Sequence, residues 1–117
     1  MKVNLHTYPE SVVAYPGRTI ELIINVDSLG ENPTWLEAEI KVEPGISLSE
    51  GKNVHAGRFR LGICEGRNSL SKAIKIYTEH NVKSHLYKAH VSVFAYNAKG
   101  ESAGRVDEHT LVKCSSH

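Results

Sequence analysis

Cys114-Ser-Ser-His117 brings a thiol and an imidazole within three positions of each other, close enough to reach one metal ion. Thiolate with imidazole suits zinc, copper or iron. Seven histidines occur in the 117 residues: His6, His55, His80, His85, His90, His109 and His117. No second pair among them has ligand spacing. His85 and His90 fall on opposite faces of an uninterrupted strand, because side chains alternate with a period of two. His90 and His109 can meet only as cross-strand neighbours on an outer face, and two exposed imidazoles alone complete no coordination shell. A metal site would therefore rest on Cys114 and His117. It is the alternative to a protein with no cofactor, which is the reading preferred here.

Asp107-Glu-His109 places a carboxylate beside an imidazole. On a strand the two share a face, but no nucleophile or set of oxyanion donors accompanies them, as hydrolysis would require. Charge on an edge strand that resists unwanted pairing explains the run better. Glu108 then has inward parity, which predicts a bulge near the hairpin. Gly57, Gly62 and Gly66 do not form a phosphate-cradling motif. No catalytic residue is assigned, and no enzyme is expected.

Binding is the stronger prospect. In Leu86–Asn97, one parity gives Tyr87, Ala89, Val91, Val93 and Ala95, a small and smooth inner face. The other gives Lys88, His90, Ser92, Phe94 and Tyr96. Trp35–Val42 alternates in the same way, with Trp35, Glu37, Glu39 and Lys41 outward. If these strands share a sheet with Arg105–Cys114, one solvent-facing surface collects Trp35, Phe94 and Tyr96 as anchors. Glu37, Glu39, Lys88 and His90 would form the polar surround. Such a surface suits a protein partner or a homodimer, since burying each large side chain is worth roughly 1.5–3 kcal/mol.

The elements that must position these groups are strands. Thr19–Val26 alternates through Ile20, Leu22, Ile24 and Val26, and Arg58–Cys64 places Phe59, Leu61 and Ile63 inward. Leu70–Thr78 carries Leu70, Ile74 and Ile76 on one face. Pro16-Gly17 and Pro44-Gly45 are turn pairs, and no segment has helical periodicity. Seven or eight short strands at near-regular spacing predict an all-β, antiparallel sandwich in one domain spanning residues 1–117, with a closed barrel as the competing architecture that alternation alone fits equally well. A net charge of +1 with scattered basic residues gives no basis for nucleic-acid binding. No apolar run approaches the length of a membrane span. The start of the chain has no apolar leader, so a cytoplasmic protein is expected, with Cys64 and Cys114 as reduced thiols. Whether they could bridge depends on their separation.

Tyr87 lies two residues before Ala89, the spacing of the tyrosine that precedes the strand-F core cysteine in immunoglobulin-like domains. Together with Ala14-Tyr-Pro-Gly17, the run Ile20-x-Leu22-x-Ile24-x-Val26, the Asp27-Ser-Leu-Gly30 loop, the Glu65-Gly-Arg67 turn and Leu86-Tyr87, this chain resembles the disulfide-free immunoglobulin-like modules of prokaryotes of the CARDB and NEW3 type. The resemblance implies an immunoglobulin-like sandwich with an accessory, non-catalytic role, and it brings no catalytic residues.

Overall fold

A computed structural model describes residues 1–27, 30, 32–65 and 68–116. The predicted loop through Ser28, Leu29 and Glu31, the reversal at Gly66 and Arg67, and the ligand candidate His117 lie outside the described residues. All regular structure within them is β. The strands are β1 (Lys2–Tyr8), β2 (Ser11–Val13), β3 (Thr19–Asp27), β4 (Thr34–Val42), β5 (Ile46–Ser47), β6 (Ala56–Cys64), β7 (Ser69–Thr78), β8 (His85–Tyr96) and β9 (Ser102–Ser115). Nine strands thus form among the described residues where seven or eight were expected. The additional ones are short: the segment before Pro16 is extended only over β2, and β5 spans two residues.

Two sheets face each other. One has the order β1-β3-β7-β5, and the other, curled into a half-barrel, has the order β2-β9-β8-β4-β6. The chain leaves the first sheet after β1 and joins the second at β2, which runs parallel to β9 over Lys113–Ser115. The period-two pattern dictates what lies between the sheets. Ile20, Leu22, Ile24 and Val26 of β3 are buried opposite Leu36, Ala38 and Ile40 of β4 and Ala89, Val91 and Val93 of β8.

Two places show local chemistry setting the geometry. Tyr87 is buried, and its hydroxyl accepts the Lys83 N–H at 2.9 Å and donates to the Lys83 carbonyl at 3.3 Å, which ties the start of β8 to the preceding turn. Against its ring lies Gly45, with φ +117°, where a Cβ would stand 2.3 Å from the ring. The Gly45 N–H donates at 2.6 Å to the buried Glu79 carboxylate, which His55 Nε2 also contacts at 3.0 Å. A buried carboxylate needs such partners.

The second place is a bulge in β6. Leu36 pairs with Gly62 but Glu37 pairs with Arg60, so Leu61 is the extra residue. Gly62 takes φ +126°, in the range that favours glycine. One inserted residue reverses parity beyond it. The expected inward Ile63 is therefore outside, at 57% exposure, and Cys64 takes the interior position. The bulge expected near the hairpin is present: Ala103 is the extra residue, opposite the step from Ala95 to Tyr96, while Glu108 pairs in register with Val91. Glu108 is exposed without a bulge beside it. Beyond β8, no described strand pairs with β9 over residues 102–112, so this edge is unpaired, with β1 lying beside it.

Candidate interaction face

The outer side of the five-stranded sheet carries the predicted binding residues. Trp35, Glu37, Glu39, Phe94 and Tyr96 are brought together by the β4–β8 register, in which Trp35 faces Tyr96, Glu37 faces Phe94 and Glu39 faces Ser92. Lys88 and His90 share the face but not the neighbourhood. At about 3.3 Å per residue, His90 lies about 20 Å and Lys88 about 26 Å along β8 from Tyr96. They do not surround the aromatic anchors.

The anchors also differ in kind. Trp35 is 48% exposed, and the bulge in β6 sets Ile63 directly beside it. Ile63, Trp35 and Tyr96 thus form a single cross-strand row on three adjacent strands. Phe94 is only half exposed, because two guanidinium groups cover its ring: Arg58 at 4.7 Å and Arg105 at 5.1 Å from the centroid. Each such cation–π contact at an exposed site is worth about 0.5–1 kcal/mol.

Arg58 organises this end of the face. It donates to the Tyr96 hydroxyl at 2.9 Å and lies 3.7 Å from Glu37 and 3.8 Å from Glu39. Exposed ion pairs of this sort stabilise little. Their effect is to hold the Tyr96 and Phe94 rings in place. With Phe59 inward, Arg58 falls on the outer parity, but the sequence does not place β6 beside β4. Next to the row, a depression of about 530 Å³ is lined by Trp35, Glu37, Arg60, Tyr96 and the β8–β9 turn from Asn97 to Gly100. That turn is braced by the Asn97 side chain, which accepts the N–H groups of Lys99 and Glu101.

The remaining candidates separate clearly. Cys114 points into the core, and burial pushes its thiol above its ordinary range. Cys64 is also buried and unbridged, and its Sγ donates to the Asn68 carbonyl at 2.9 Å. The two thiols sit at opposite ends of the sheet. Cys64 ends β6 beside the Trp35–Tyr96 row, and Cys114 faces His85, eleven residues away along β8. That is about 36 Å, far beyond disulfide reach. Among the described residues no three His, Cys, Asp or Glu side chains cluster as metal ligands would.

Asp107 and His109 do share a face. Hydrogen bonding from the Ser92 hydroxyl across the ladder, and then from Arg105, holds the Asp107 carboxyl below its ordinary value. A serine engaged by the carboxylate itself does not make the serine–histidine–aspartate sequence of acyl transfer. No described helix is long and apolar enough to cross a membrane. Neither protein-family models nor curated proteins give a match to this chain.

Proposed function

We propose that this chain is an immunoglobulin-like β-sandwich that works without catalysis, by holding a protein surface, a second copy of itself included, against the outer face of the five-stranded sheet. The observation that carries the reading is the row Ile63–Trp35–Tyr96. It is a contiguous apolar strip with no layer over it among the described residues, flanked by fixed Arg and Glu side chains. Exposed apolar patches rimmed by polar groups mark interfaces, and tryptophan, tyrosine and arginine are the usual anchors. The immunoglobulin-like assignment draws support from a first strand divided between the two sheets and from the Tyr87 hydroxyl bound to backbone four residues upstream. The likeness to the CARDB and NEW3 modules is part of the same proposal. Two buried, unbridged thiols favour a reducing, cytoplasmic setting.

The test compares wild type with Trp35→Glu and Ile63→Glu, both at exposed positions. Sedimentation velocity over a wide concentration range reads self-association, and capture from native lysate reads other partners. A fall in mass or a lost partner in both variants supports the reading. Identical mass and identical captured proteins in all three reject it.

A further inference from the structure

Two imidazoles meet near the middle of the same outer face. His90 and His109 are directly opposite in the β8–β9 register. The hydrogen-bonding direction of each residue follows from two fixed points. The Ser115 carbonyl accepts from Ala14 N–H, beside β2, so the odd-numbered residues of β9 turn their backbone groups away from β8. The Lys88 carbonyl accepts from Glu43 N–H, so the even-numbered residues of β8 turn theirs toward β4. His90 and His109 therefore form a non-hydrogen-bonded pair, the class in which Cα atoms approach to about 4.5 Å and side chains come closest.

The rings are 5.9 Å apart between centroids and inclined at 44°. Two imidazoles on one ion in cis, with bonds of about 2.0–2.1 Å, have centroids about 5 Å apart. Closing the difference takes small side-chain rotations at two exposed positions. Neither ring has a hydrogen-bond or ion-pair partner among the described residues. The surrounding charge is mixed. Lys41, opposite His90 on β4, has its ammonium 3.6 Å from Glu39, and Asp107 precedes His109 by two residues on the same face. Lys88, diagonal to His109, is a second cation on this face.

We propose that His90 and His109 form a two-imidazole chelate for a divalent late transition-metal ion, with water in the remaining positions. Affinity should follow Cu²⁺ over Ni²⁺ and Zn²⁺, as nitrogen ligands dictate. The site needs only one chain and does not depend on the interface reading.

Titration calorimetry of untagged protein with each metal chloride, and electron paramagnetic resonance of the Cu²⁺ form, test it. Wild type and His80→Ala should bind one ion with nitrogen hyperfine structure from two imidazoles. His90→Ala and His109→Ala should each lose that binding while retaining the wild-type circular dichroism. Trp35→Glu should retain it, which separates failure here from failure of the interface. Absence of binding in wild type, or unchanged binding in both histidine variants, overturns the proposal. So does binding seen only with a doubled sedimentation mass.

Discussion

Gly45→Ala should be among the most destabilising single-methyl additions in this protein. The new Cβ would stand 2.3 Å from Cε1, 2.6 Å from Cζ and 2.7 Å from the hydroxyl oxygen of Tyr87. The ring cannot retreat freely, because its hydroxyl is held by the Lys83 N–H and carbonyl. Backbone strain at positive φ costs about 1–2 kcal/mol, and overpacking about 1–3 kcal/mol. Displacing the hydroxyl from its partners costs about 1 kcal/mol more. A loss of about 3–6 kcal/mol is a large share of the 5–15 kcal/mol typical of a domain. Gly17→Ala is the control. It also has positive φ, at +78°, but no heavy atom lies within 4 Å of its Cβ, so only about 1 kcal/mol is expected. Urea unfolding followed by far-ultraviolet circular dichroism gives both values. A double-mutant cycle with Tyr87→Ala should cut the cost of Gly45→Ala to that of backbone strain. Equal losses at Gly17 and Gly45, or additivity in the cycle, would refute the packing account.

Ile63→Lys should change stability by no more than about 0.5 kcal/mol, as exposed substitutions do, whereas Leu61→Ala should cost about 2–4 kcal/mol; urea midpoints in the reverse order would mean the bulge is misplaced. Ser92→Ala should raise the Asp107 pKa toward 3.8, and by more than Arg105→Gln does, in a carbon-detected NMR titration of the carboxyl. Because the native pKa of Asp107 is depressed, its stabilisation is present above pH 3.8 and is lost as the pH falls through the native value. The sign is opposite at Cys114. Its native thiol pKa is raised above 9.0, so as the pH climbs past that value the unfolded chain loses its proton first and stability declines. Cys114→Ala should flatten that decline in unfolding experiments at alkaline pH. Both thiols should also alkylate slowly until the protein unfolds, as read by mass spectrometry.

Period-two reasoning reached the core because burial in these sheets depends on little else. Every inward residue named for β3 and β8 is buried, and Tyr87 makes the backbone bonds its spacing suggested. It failed where one residue breaks the count. Nothing in Arg58–Cys64 announces that Leu61 is extra, although Gly62, a residue able to take positive φ, was the available sign. The grouping of Lys88 and His90 with Trp35 failed for another reason: parity assigns a face but says nothing of distance along it. Arg58 was overlooked because its partners Glu37, Glu39, Phe94 and Tyr96 come from strands distant in sequence.

The unpaired edge of β9 has an implication for solubility. An invading β-ribbon laid along residues 102–112 would find Glu108 at a position where a core side chain belongs. Its carboxylate would have to be dehydrated between the layers, so stacking of molecules edge upon edge is discouraged by a single acidic group. Replacing Glu108 with valine would remove that guard and leave a chain prone to fibrous growth, although its isolated fold would be unharmed.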